Sequence, residues 1–290
     1  MRVMFLGDVV GRPGREYLRV RAGALRAELD LDFLVVNAEN AAAGAGITGA
    51  IARQLLDAGI DAITLGDHVW DQRGFESEIV DLQQVCRPAN LPEGCPGRRW
   101  VCVERDGVKL AVFTMLGRQF LPPRASCPFR GSDALLEEIR AVDNPTLAVA
   151  EIHAEATSEK IAFGRYLDGR VAAVVGTHTH VPTADACILP AGTGYVTDLG
   201  MCGPYDSVLG RDVDAGIRRF LDGMPRRFGV ASDDVRLCGV VFDFDVRSGR
   251  TIRFQPFRED APVAPAGASD GAERASGVDT AGEAGNGAKP

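Results

Sequence analysis

The feature that most constrains the fold is a unit that recurs along the chain: a short apolar run, a turn with small or polar residues, and then a helical pattern. Residues 15–29 and 48–58 show the apolar spacing of helices, and Thr48 can cap the second one. This alternation predicts an α/β fold with a largely parallel sheet covered by helices. Five apolar runs fit its strands: residues 3–6, 33–36, 62–65, 146–150 and 171–175.

Two segments depart from this alternation and predict antiparallel hairpins. One spans residues 100–115 around Asp106-Gly107, and the other spans residues 239–257 around Ser248-Gly249. Together they indicate a second sheet. From about Arg258 the composition changes to Ala, Gly, Asp, Glu and Pro, so we predict one domain over residues 1–257 and a disordered acidic tail over residues 258–290.

Composition narrows the classes of protein that the chain fits. Its 40 acidic and 32 basic residues give a net charge of -8, which argues against a broad surface for DNA or RNA. Seven cysteines without a CxxC pair fit free thiols in a reducing compartment, so we expect a cytoplasmic protein. We expect no membrane partner, because no apolar run approaches the length of a signal peptide core or a membrane span.

All four histidines follow strand-like apolar runs, as His68, His153, His178 and His180. Carboxylate and amide side chains follow the same set of runs, and the carboxyl ends of strands in an open α/β sheet converge on one crevice. Nitrogen and oxygen ligands together suit manganese, iron or zinc. The pooled candidates are the four histidines with Asp8, Glu39, Asn40 and Asp67.

Eight candidates exceed what one metal ion can use, which favours two ions that share Glu39 or Asp67 as a bridge. The strongest single indication of a metal site is the pair His178 and His180, because side chains two residues apart on an extended segment point to the same side. Each position also has a structural interpretation. Asp8 alone is typical of a turn or helix cap, and His153 alone is typical of a hydrogen-bonded core histidine.

Seven segments closely resemble the YmdB-like branch of the calcineurin-like metallophosphoesterases. They occur in order over residues 1–257, and only the tail lies outside the resemblance. The segments are GDVVGRPGR from Gly7, NAENAAAGAGIT from Asn37, DAITLGDHVWD from Asp61, RPANLPEG from Arg87, HAEATSEK from His153, VVGTHTHVPTAD from Val174 and TDLGMCGPYD from Thr197.

The resemblance implies a calcineurin-like metallophosphoesterase fold: a two-layer β-sandwich flanked by helices, with two metal ions, iron (Fe2+/Fe3+) or manganese, at the carboxyl ends of the strands. By motif, one ion takes Asp8, Glu39, Asn40 and His180. The other takes Glu39, Asp67, His153 and His178, so Glu39 is the bridge. His68 is implied to be the catalytic proton donor rather than a ligand.

One position departs from the family pattern, which reads GNH where this chain has Gly66-Asp67-His68. Aspartate keeps an oxygen at the same reach, so it can still bind a metal ion. It lacks the amide donor of asparagine and adds a negative charge. The departure therefore affects metal preference and the affinity for phosphate.

The resemblance implies a phosphodiesterase for small substrates such as 2',3'-cyclic AMP, in which a metal-bridging hydroxide attacks phosphorus and His68 protonates the leaving group. Two alternatives stay open: a metal-binding regulatory protein with little turnover, and a nuclease acting on RNA. Self-association stays open as well. Side chains that can contact the substrate are the phosphate-binding candidates Arg12, Arg87 and Arg118 and the base-stacking candidates Trp70 and Tyr205.

Overall fold

The computed structural model describes residues 1–121, 125–225 and 228–262. The strands are β1 (Arg2–Leu6), β2 (Asp8–Val9), β3 (Phe33–Asn37), β4 (Ala62–Thr64), β5 (Val85–Cys86), β6 (Val101–Arg105), β7 (Val108–Leu116), β8 (Leu147–His153), β9 (Ala173–Thr177), β10 (Cys187–Ile188), β11 (Gly194–Val196), β12 (Met201–Pro204), β13 (Val235–Asp245) and β14 (Arg250–Asp260). The helices are α1 (Gly11–Leu29), α2 (Gly49–Asp57), α3 (Phe75–Glu78), α4 (Pro128–Val142), α5 (Thr157–Leu167) and α6 (Val213–Asp222), with a 3-10 turn at Ile79–Asp81.

The strands form two sheets. The first has the order β2-β12-β13-β1-β3-β4-β5, with β14 also paired to β13, and the second has the order β10-β11-β9-β8-β7-β6. In each sheet the central strands that follow helices are parallel, and the hairpins β13-β14 and β6-β7 add antiparallel strands. The α/β sandwich expected from the family resemblance is confirmed.

The second sheet indicated by the hairpins is present, and it covers one face of the first sheet, so that each sheet has helices on one face only. The inner faces pack against each other through residues such as Phe5, Phe33 and Val149. The outer face of the first sheet packs on α1 and α2, and that of the second packs on α4 and α5. Central strands are therefore buried on both sides, and their apolar runs do not distinguish a second sheet from a helix layer.

The predicted hairpins and the predicted helix cap are confirmed. Arg105 pairs with Val108 across the first hairpin turn, and β13 pairs with β14 over most of its length. The Thr48 side chain accepts a hydrogen bond of 3.3 Å from the Ile51 N–H at the start of α2. Helix α1 begins at Gly11, four residues before the predicted start.

The folded part of the chain extends past residue 257, because β14 continues to Asp260. Glu259 accepts hydrogen bonds from the Tyr17 hydroxyl at 2.8 Å and from Arg21 Nε at 2.7 Å. These contacts with α1 hold a charged segment that composition alone assigned to the tail. The disorder predicted for the rest of the tail concerns residues 263–290, which lie outside the described residues.

Two further findings concern the cysteines and the helices. All seven cysteines are free thiols. Within the described ranges, no helix has the length and apolar character needed to cross a membrane.

Candidate metal centre

Four of the predicted ligands converge at one edge of the sandwich. Glu39, Asp67, His153 and His178 each place one ligand atom within 4.8 Å of the others. His153 Nε2 lies 3.1 Å from Glu39 Oε1 and 3.0 Å from Asp67 Oδ1. His178 Nδ1 lies 3.4 Å from the same Asp67 oxygen. Two carboxylates and two imidazoles at this spacing form a set that can hold a transition metal ion or zinc.

These four residues lie at the carboxyl ends of strands from both sheets. Glu39 and Asp67 follow β3 and β4 of the first sheet, whereas His153 ends β8 and His178 follows β9 of the second. His153 is thus the last strand residue rather than part of the turn after it. Gly66 makes the close approach feasible, because a Cβ at this position would collide with Glu39 Oε2 and His153 Nε2.

Negative charge dominates the cluster, and the histidine rings balance it. Burial raises the pKa of Asp67, but hydrogen bonds with His153 and His178 outweigh burial and bring that pKa well below its usual value. Burial lowers the pKa of His153, but the charge of Glu39 and the hydrogen bonds to Asp67 and Glu39 raise it well above the usual value. Closely packed carboxylates and imidazole rings with such opposed pKa shifts are typical of a functional site.

A buried relay fixes the ring of His153. Its Nδ1 lies 2.8 Å from Thr177 Oγ1, and that hydroxyl donates to Glu151 Oε1 at 2.5 Å. Glu151 also accepts from Thr114 at 2.8 Å and from Asn37 at 2.6 Å. Because the Thr177 proton goes to Glu151, His153 Nδ1–H is the donor to Thr177. With Nδ1–H held by Thr177, Nε2 is the nitrogen that would give up its proton to a metal ion, an arrangement that outer hydrogen bonds produce at many metal sites.

His178 has a similar partner on its outer side. Its Nε2 lies 3.2 Å from Glu155 Oε2, while its Nδ1 faces the cluster. We did not predict Glu155, Thr177 or Glu151 from the sequence. Glu151 interrupts the apolar strand β8, and a carboxylate inside such an apolar run was the available signal.

Asp8, Asn40 and His180 form the other half of the predicted site. Asp8 Oδ2 accepts the His178 N–H at 3.1 Å. Asp8 Oδ1 and Asn40 Oδ1 are buried and have no hydrogen-bond partner among the described residues. Burial raises the pKa of Asp8, opposed chiefly by the charge of His180. A buried oxygen without a hydrogen-bond partner lowers stability unless a cation or a water molecule binds it. Asp8 and Asn40 therefore fit as oxygen ligands of a metal ion.

The geometry predicted for His178 and His180 is wrong. Both residues have left-handed backbone conformations, with φ of 95° and 63°, so the segment after β9 is not extended. Their side chains separate: His178 joins Asp67 and His153, whereas His180 Nδ1–H donates to the Leu209 carbonyl at 3.1 Å. Strained non-glycine backbone of this kind concentrates at functional sites.

His68 lies beside the cluster but is not one of its four converging residues. Its backbone N–H donates to Glu39 Oε2 at 3.1 Å, and its Nδ1 lies 2.7 Å from Asp71 Oδ2. Burial lowers the pKa of His68, but the negative charges of Glu39, Asp67 and Asp71 outweigh burial and raise it. The ring is partly exposed and lines the cavity next to the cluster.

That cavity has a volume of about 470 Å³. Residues of the predicted site line one part of the cavity, and the segment from Val208 through α6 lines another part. The side chains from the predicted site are Glu39, Asn40, His68, His178 and His180.

The structure excludes one phosphate-binding candidate and one base-stacking candidate. The Arg87 guanidinium is buried and donates to the backbone carbonyls of Pro88, Cys95 and Pro96. The half-buried Tyr205 donates its hydroxyl to the Met201 carbonyl and to Cys238 Sγ, and the Arg236 guanidinium lies 4.5 Å from the centre of its ring.

Comparison with known proteins places the site in a family. A family model described as YmdB-like protein matches residues 4–257. The chain is 46% identical over 255 residues to a 2',3'-cyclic-nucleotide 2'-phosphodiesterase of Bacillus subtilis, which covers 88% of this chain and 96% of that relative.

Two solved structures are similar over most of the chain. A hypothetical protein from Thermus thermophilus has a TM-score of 0.84 at 40% identity, with 90% of this chain and 100% of that chain covered. A protein from Mycoplasma pneumoniae described as a novel phosphatase has a TM-score of 0.83 at 34% identity, with 90% and 93% covered.

Proposed function

The chain belongs to the YmdB-like family, and on that premise we propose that it is a metal-dependent phosphodiesterase that hydrolyses cyclic nucleotides of the 2',3'-cyclic AMP type. The observation that carries the proposal is the convergence of Glu39, Asp67, His153 and His178 beside a cavity. The name of the Bacillus subtilis relative supports the substrate class.

We assign one metal ion to Asp8, Glu39, Asn40 and His180. The second would be held by the four converging side chains, so Glu39 belongs to both sets. The unpaired oxygens of Asp8 and Asn40 support the first assignment, and the outer hydrogen bonds of His153 and His178 support the second. Nitrogen and oxygen ligands without thiolate suit iron, manganese or zinc, and the family resemblance favours iron or manganese.

When bound, two such ions supply an activated water and neutralise charge on the phosphate oxygens. The contribution of the chain is to orient the substrate and to move a proton. The leaving alkoxide has a high pKa and needs a proton as the P–O bond breaks. We assign this proton transfer to His68, and the assignment is supported by the Asp71 contact to its Nδ1 and by its position in the lining of the cavity.

The cavity favours a mononucleotide over a nucleic acid strand. Its volume of about 470 Å³ is typical of sites for small molecules. We also propose a cytosolic location, because all seven cysteines are free thiols.

The test is a substrate panel with the purified protein loaded with Mn2+ or Fe2+. We expect turnover of 2',3'-cyclic AMP well above that of a short RNA. Preferential cleavage of RNA would replace the proposal with a nuclease. Inactivity on every diester with either metal would favour a regulatory protein.

A further inference from the structure

The cavity beside the metal-ligand cluster has a second wall that the proposed hydrolysis does not use. This wall consists of Leu209, Arg211, Gly216, Arg219, Phe220 and Phe228, which come from α6 and its flanking segments. We refer to these six residues as the α6 wall. Both walls line one continuous cavity, so a molecule with its phosphate at the cluster extends toward the α6 wall.

Two aromatic rings lie in the α6 wall. Phe220 is 85% exposed, which is high for a phenylalanine at the edge of a cavity. The Arg219 guanidinium lies 5.4 Å from the ring centre of Phe228. Position 216 has no side chain, and a Cβ there would press on Val208 at 3.0 Å, so α6 lies close to that segment.

The charge along the cavity changes from one wall to the other. The cluster side carries carboxylates and imidazoles, whereas the charged groups of the α6 wall are the guanidinium groups of Arg211 and Arg219. Arg211 donates to the carbonyl oxygens of Ala43 and Gly44. These bonds hold its guanidinium against the loop that follows Asn40. Guanidinium groups stack on flat aromatic rings, so an aromatic group of a ligand fits the α6 wall, whereas an anionic group needs a metal ion to balance the carboxylates on the cluster side.

We propose that the α6 wall binds the nucleobase of the substrate, with the base against Phe220 and Phe228 and the phosphate at the metal-ligand cluster. This inference rests on the proposed function. Aromatic side chains stack on every base, so the wall selects nucleotides over other cyclic diesters rather than one base over another. Trp70 lines a smaller cavity of about 200 Å³, which shares His68 with the first cavity and reaches Asp67, so it is the second candidate for the base.

The test compares Phe220→Ala with Leu221→Ala, a matched control because Leu221 is 80% exposed on the same helix but does not line the cavity. The substrates are 2',3'-cyclic AMP and glycerol 1,2-cyclic phosphate, which has the same five-membered diester without a base. Phe220→Ala should raise the KM for 2',3'-cyclic AMP about tenfold and leave the KM for the glycerol diester unchanged. Leu221→Ala should change neither KM.

Equal KM values for wild type and Phe220→Ala, or equal losses on both substrates, would overturn the inference. Equal losses in Phe220→Ala and Leu221→Ala, with a change from dimer to monomer in light scattering, would identify α6 as a contact between copies instead. Calorimetry with adenosine 3'-monophosphate separates this inference from the proposed function. Even if wild type hydrolyses neither diester, Phe220→Ala should weaken nucleotide binding about tenfold, and unchanged binding would overturn the inference.

Discussion

Lys160 Nζ lies 2.7 Å from Asp198 Oδ2, and both side chains are buried. The same carboxylate oxygen accepts hydrogen bonds from the N–H and the hydroxyl of Thr179, at 3.1 and 2.7 Å. Thr179 stands between His178 and His180, whose backbones are left-handed. The buried ion pair therefore holds the turn that presents both histidines.

Lys160→Met should lower the free energy of unfolding by about 3–5 kcal/mol, because it leaves the buried Asp198 carboxylate without its counter-charge. Urea denaturation measures the change. Lys109→Met is the control, since Lys109 is partly exposed and, among the described residues, its Nζ donates to the Asp143 carbonyl rather than to a carboxylate. A loss below about 1 kcal/mol in Lys160→Met would show that the pair does not hold the turn.

Thr177→Val should weaken metal binding about 10- to 100-fold, because His153 loses the hydroxyl that fixes its tautomer. Competition with a chelator measures the affinity. Thr114→Val is the matched control, since Thr114 also donates to Glu151 but is not the residue that bonds with His153. Equal losses in both variants would mean that the relay acts through Glu151 packing and not through the ring of His153.

Asp67→Asn restores the residue that the family pattern has at this position. We expect the variant to keep its metal ions, because the amide retains an oxygen at the same reach. Removal of one negative charge next to the phosphate should lower the KM for 2',3'-cyclic AMP by on the order of tenfold at low salt. Steady-state kinetics at two salt concentrations measures this change, and a KM that rises or stays constant would contradict it.

His68→Ala should keep its metal content and lose turnover of 2',3'-cyclic AMP by about 10²- to 10⁴-fold, since the leaving alkoxide then lacks its proton donor. The loss on bis-p-nitrophenyl phosphate should be small, because p-nitrophenolate leaves without a proton. Elemental analysis and the two rates measure these effects. Unchanged turnover of the cyclic nucleotide would exclude the role of His68 as the acid.

The sequence predicted the strand ends better than the geometry around them. Glu39 and Asp67 follow fully buried strands, whose apolar runs are visible without a structure. The left-handed backbone of His178 was not predictable, because the turn is held by residues distant in sequence: Asp8 accepts the His178 N–H, and Asp198 accepts the Thr179 N–H. Thr177 and Lys160 are common residue types in a strand and a helix, so their roles follow only from what they contact.

The most direct test of the account is a titration of metal-free protein with Mn2+, followed by the rate of 2',3'-cyclic AMP hydrolysis. Two ions that share Glu39 predict little activity up to one equivalent and a maximal rate at two equivalents per chain. A maximal rate at one equivalent, or no hydrolysis at any Mn2+ concentration, would contradict a two-metal phosphodiesterase.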